Sequence, residues 1–93
     1  MTNIIENIKV GDLYLDPFHY VRSKIGKTSA IAKITEVGEM KTRFGKPDRI
    51  VRYEKYVPKE GSYGVLKFIE NSSVWAGDLK KKIPDNISVV FEK

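Results

Sequence analysis

The 93-residue sequence predicts a mainly β (β-rich α+β) fold: a small barrel-like antiparallel sheet of five or six strands, SH3-like or OB-like, with one short helix near residues 73–82. Three observations lead there. Glycine and proline interrupt the chain at short intervals, from Gly11 and Pro17 through Gly45 and Pro47 to Gly77 and Pro84, and such gaps suit strands. The segments between them are rich in Val, Ile, Tyr, Phe and Thr, which fit a pleated, half-buried surface. Several of these segments also alternate apolar and polar residues with the period of a strand. A meander of this length has to curl to bury one face and to shield its edges.

The elements follow in order. Ile8-Lys9-Val10-Gly11-Asp12 reads as a lead-in turn, with Asp12 as a turn residue, before a first strand at Leu13-Tyr14-Leu15. Its Lys9-Val10-Gly11-Asp12 step resembles the start of many small barrels, but four residues assign no family. Phe18 to Arg22 is a second extended stretch that continues the first through Pro17, and Ser23 to Lys27 is a turn. Thr28 to Val37 forms a long strand, with Ala30, Ala32 and Ile34 on one face and Ile31, Lys33 and Thr35 on the other.

A hairpin comes next. Met40 to Phe44 alternates apolar and basic residues, and Asp48 to Val57 answers it across Gly45-Lys46-Pro47. In that register Met40, Thr42 and Phe44 share a face with Val51, Tyr53 and Val57, while Lys41, Arg43 and Arg52 occupy the opposite one. Gly64 to Ile69 is a further strand. Ser72 or Ser73 then caps a short helix with Trp75, Leu79 and Ile83 on one stripe, weakened by roughly 1 kcal/mol at Gly77 and stopped by Pro84. Ile87 to Phe91 closes the chain as a strand.

Composition bounds the function. Ninety-three residues make a single domain spanning 1–93, and an apolar share of 41% is enough for an ordinary core. There is no cysteine, so thiol catalysis, disulfides and cysteine-based zinc sites are excluded, and a reducing compartment is expected, the cytoplasm by default. The first residues lack a basic segment followed by an apolar run, so no signal peptide is expected. No stretch approaches the ~20 apolar residues of a membrane span, and no membrane partner is expected.

Catalytic constellations are sparse. His19 is the sole histidine and has to serve any Ser-His-Asp arrangement alone; a zinc site needs three carboxylates beside it. Gly26-Lys27-Thr28 looks like the end of a phosphate-binding loop, but position 21 is Val where the earlier glycine is required. His19 and Arg22 with Glu36 or Glu54 compose a ribonuclease-like set on composition alone. No cofactor and no metal are expected, and binding is favoured over catalysis.

Charge is the informative feature. Residues 20–59 carry eleven Lys and Arg against four acids, a net of +7, whereas residues 1–19 carry −2 and residues 60–93 none. Lys41, Arg43, Lys46, Arg49 and Arg52 fall within twelve residues, with Asp48 the one acid among them and Tyr56 just beyond. Cations along a strand pair follow a phosphate backbone, and an exposed aromatic stacks on unpaired bases. The expected function is nucleic-acid binding, DNA or RNA, through Lys41, Arg43, Lys46, Arg49 and Arg52, with Tyr56 as the stacking residue. The alternative is an accessory protein-interaction module anchored by Trp75, by the loop from Pro58 to Tyr63, or by a free edge strand. The bland reading of the same residues is a solvated edge that resists aggregation.

Overall fold

A computed structural model describes residues 4–21, 28–62, 64–79, 81–84 and 86–93. Arg22, the expected turn at 23–27, Tyr63, Lys80 and the side chain of His19 lie outside the described residues. The chain forms α1 (Ile4–Asn7), β1 (Leu13–Val21), β2 (Thr28–Val37), β3 (Lys41–Arg43), β4 (Lys46–Asp48), β5 (Ile50–Pro58), β6 (Val65–Trp75), a 3-10 turn (Ala76–Asp78), β7 (Lys82–Ile83) and β8 (Val90–Glu92). Six of the strands make one sheet in the order β7-β1-β2-β5-β6-β8, and β3 and β4 stand apart as a two-stranded hairpin. Neighbours in the sheet are antiparallel except β6 and β8. The sheet curls into a half-barrel, so the molecule is a mainly β, barrel-like fold. No helix among the described residues is long and apolar enough to cross a membrane.

Strand periodicity builds the core. On β2, Ala30, Ala32 and Ile34 all point inward and are fully buried. Tyr14 lies opposite Ala32, and Tyr53 opposite Ile34. Both tyrosines are buried there, 2% exposed each, within one close-packed cluster. Val51 sits between Val37 and Val74 on the neighbouring strands, and Ile4, Ile5 and Leu79 close the cluster from below. Each fully buried aliphatic side chain here contributes about 1.5–3 kcal/mol.

Among the described residues, an aromatic cluster covers one end of the other face of the sheet. Tyr56 follows Lys55 in β5 and points away from the core; its ring meets Phe91 edge-on at 4.8 Å and Phe68 at 5.8 Å. The Lys33 ammonium lies 4.7 Å from the Phe91 ring centroid. This aromatic cluster fastens the three-residue β8 beside the first residues of β6.

Two elements differ from the sequence expectation. The helix near 73–82 is shorter than expected among the described residues, because Ser72 to Trp75 extend β6 and pair with Ile50 to Tyr53 of β5. Only Ala76–Asp78 turns, as a 3-10 segment, and Ile83 joins β7 opposite Leu13. The hairpin is also shorter and tighter than expected. Lys41 pairs with Asp48, Thr42 with Pro47 and Arg43 with Lys46, while β5 enters the main sheet between β2 and β6.

Candidate functional site

The β3–β4 hairpin closes on Phe44-Gly45, and both residues have positive φ, 52° and 77°. A two-residue loop with both φ values positive is a type I′ turn, whose twist matches that of the flanking strands. Glycine meets the requirement at position 45 without a Cβ clash. Phenylalanine at position 44 does not, and holding a bulky side chain there costs about 1–2 kcal/mol. The ring gains no burial in exchange: Phe44 is 91% exposed. Pro47 is exposed in β4 and lines a cleft with Phe44, and Met40, just before β3, is exposed as well.

Arg43 ties this tip to the body of the protein. Its guanidinium donates to Asp78 Oδ1 at 3.0 Å and lies 3.5 Å from Asp48 Oδ2. It also stacks near two rings, 5.3 Å from the centroid of Phe44 and 5.1 Å from that of Trp75. The hydrogen bond to Asp78 holds the Arg43 guanidinium above its ordinary value, so it stays charged.

Asp48 is the other fastening. It is buried, and its Oδ1 accepts the backbone N–H of Arg49 at 2.7 Å and that of Gly77 at 3.1 Å. A Cβ on residue 77 would lie 2.6 Å from Asp48 Oδ2, so the carboxylate can reach the 3-10 turn only because Gly77 has no side chain. Between the hairpin, α1 and this turn runs an open cleft of about 520 Å³ whose walls include Ile5, Phe44, Pro47 and Asp78.

The six residues expected to form one surface do not act together. Lys41 and Lys46 are exposed on the hairpin, and no carboxylate pairs with either among the described residues. Arg43 is half-buried between two aspartates, which cancel its charge. Arg49 follows the hairpin directly and is half-buried, with its Nε sequestered and without a hydrogen-bond partner among the described residues. Arg52 lies on the outer face of β5, 3.9 Å from Glu36, in a separate polar groove with Asn71 and Ser73.

Tyr56 is 1% exposed inside the aromatic cluster, which corrects its assignment as a stacking residue. Phe68 and Phe91 both pack against its ring. Burial pushes the Tyr56 phenol up to about 12, helped by its O–H donating to Glu54 Oε1 at 2.9 Å. Glu54 is itself held below the usual carboxylate range, chiefly by its hydrogen bond from Lys93. Glu36 and Glu54, considered above as general bases, are thus engaged with Arg52 and with Lys93 and Tyr56 respectively.

Sequence reasoning set Phe44 on the face shared with Val51 and Tyr53 and did not count it among the site residues, and it did not pair Arg43 with the aspartates that anchor it. The Phe-Gly dipeptide between two basic residues was the available signal for the tip. Asp78 gave none, because it lies 35 residues from Arg43. Comparison with protein-family models, with curated proteins and with solved structures finds no match to this chain.

Proposed function

We propose that this chain is a non-catalytic binding module that takes nucleic acid on its β3–β4 hairpin, with Lys41 and Lys46 on the phosphate backbone. One observation carries the reading. The hairpin lies outside the main sheet and exposes two lysines without carboxylate partners among the described residues, on either side of an exposed aromatic tip. A hairpin outside the sheet with exposed cations can meet a polyanion while the rest of the domain stays solvated, and its cations displace condensed counterions. The absence of cysteine suits a reducing compartment such as the cytoplasm, where such partners are met.

Fluorescence anisotropy with labelled oligonucleotides tests it. Two phosphate contacts give a slope of log K against log salt of about −1.4 on a single strand, or roughly sevenfold weaker binding between 50 and 200 mM salt. Lys41→Ala with Lys46→Ala should abolish most of that slope and weaken binding to every sequence alike. Binding that ignores both salt and the lysine pair would remove the hairpin from consideration. If no oligonucleotide binds at all, the exposed Phe44, Met40 and Pro47 favour a protein partner instead.

A further inference from the structure

Resting on the nucleic-acid reading, we infer that the strand this hairpin takes is unpaired, and that one of its bases stacks on the ring of Phe44. The residue at the first position of a type I′ turn is ordinarily Asn, Asp or Gly, because they tolerate positive φ. Here a phenylalanine holds φ 52° with its ring almost wholly in water. Neither folding nor solubility is served by that choice. Strained positions of this kind cluster at ligand clamps, where the strain belongs to the function.

The surroundings orient the ring. The Arg43 guanidinium lies 5.3 Å from the Phe44 centroid and is itself fixed by Asp78 and Asp48, so one side of the ring has a rigid neighbour. A ring oriented before binding loses less freedom when a ligand arrives. Arg43 and Lys46 line the cleft beside Phe44 together with Asp48 and Asp78, so its lining has no net charge. The cations on this hairpin without a carboxylate partner among the described residues are Lys41 and Lys46, and the phosphates lie along them.

A duplex cannot satisfy this arrangement. Its base faces are already stacked on one another, so the lysines could touch the backbone while the ring meets no π-surface. Single strands offer a free face at every base, which is why aromatic side chains on single-strand binders tolerate any sequence. DNA and RNA share this chemistry, and the choice between them is left to the arms of the experiment.

The test measures anisotropy of labelled single-stranded DNA, single-stranded RNA and duplex DNA of about twelve nucleotides, a length that fits one small β domain. Wild type, Phe44→Asn, Phe44→Trp and the Lys41→Ala/Lys46→Ala pair are compared, with thermal unfolding of each as a folding control. Wild type should bind at least one of the single strands about tenfold or more tighter than duplex. Phe44→Asn should lose about tenfold or more on that strand, change duplex binding less than about twofold, and melt at a higher temperature, because asparagine suits the turn. Phe44→Trp should restore single-strand binding. The lysine pair should weaken binding to every probe. Equal affinity for single strands and duplex, or a Phe44→Asn variant that binds single strands as wild type does, overturns the inference while lysine-dependent binding keeps the hairpin reading. Failure of every probe to bind wild type overturns both.

Discussion

Replacing Asp48 with alanine removes three interactions made by one nearly buried carboxylate, whose side chain is 8% exposed. Two are hydrogen bonds from backbone N–H groups, at Arg49 and at Gly77, and the third is the 3.5 Å ion pair with Arg43. A hydrogen bond to a charged acceptor contributes roughly 1.5–3 kcal/mol, and part of that returns where water reaches the freed amide. Arg43 retains Asp78, so the ion pair adds little. The expected loss is about 3 kcal/mol, or roughly 12–24 °C in melting temperature for a domain of this size. Asp48→Asn supplies an oxygen for both amides and loses only the charge, so it should cost about 1 kcal/mol. Urea unfolding followed by the fluorescence of Trp75, the single tryptophan, measures both variants, with unchanged m-values as the control for two-state behaviour. An alanine variant within about 0.5 kcal/mol of wild type would show that the carboxylate does not fasten the hairpin to the 3-10 turn. An asparagine variant as unstable as alanine would assign the effect to charge instead of to the two amides.

Two further outcomes follow from neighbouring groups. Burial raises the Tyr56 phenol from 10.0 to about 12, so its contribution to stability is complete below pH 10 and disappears as pH rises through 12. Wild type should therefore lose about 2–3 kcal/mol more than Tyr56→Phe between pH 9 and pH 12, measured by urea unfolding; parallel pH profiles for the two proteins would refute the burial argument. Arg43→Ala uncovers one side of Trp75 and frees the hairpin from Asp78, so the indole emission should shift to longer wavelength and the amide resonances of residues 41–46 should move. Unchanged emission would mean that the guanidinium does not cover the indole.

The strands were readable because their information is local. Alternation placed Ala30, Ala32 and Ile34 inward on β2 and grouped Val51 with Tyr53 on β5, as the core requires. Alternation also set Tyr56 on the opposite face of β5, but what covers that face there is Phe91, from the far end of the chain. No period within β5 reveals that contact. The helix near 73–82 is reduced to the 3-10 segment Ala76–Asp78 for a related reason. Trp75, Leu79 and Ile83 are spaced as on a helix, yet β5 offers Ser72 to Trp75 a complete set of backbone partners. Tertiary pairing of that kind overrides a weak local preference. The hairpin tip was misplaced by one turn because proline and glycine drew the loop to Gly45-Lys46-Pro47. Pro47 is tolerated within β4 because the two-stranded hairpin gives each strand an open edge.

The charge of the central block does not act as a uniform positive field. Arg43 is set between Asp48 and Asp78, Arg52 stands near Glu36, Lys55 donates to Glu70 at 2.8 Å and Lys59 to Glu92 at 2.8 Å. Lys33 is turned onto Phe91. Of the eleven cations in residues 20–59, five of the described ones are thus engaged in contacts that hold the sheet and its edges together. The lysines left without such a contact on the hairpin are Lys41 and Lys46, on the one element that leaves the sheet and ends in an exposed ring. A diffuse basic surface would give many weak phosphate contacts and a steep salt dependence. Two lysines beside a fixed aromatic give instead a shallow salt dependence and a large share of the affinity in stacking. The magnitude of the salt slope therefore distinguishes the two kinds of surface before any residue is changed.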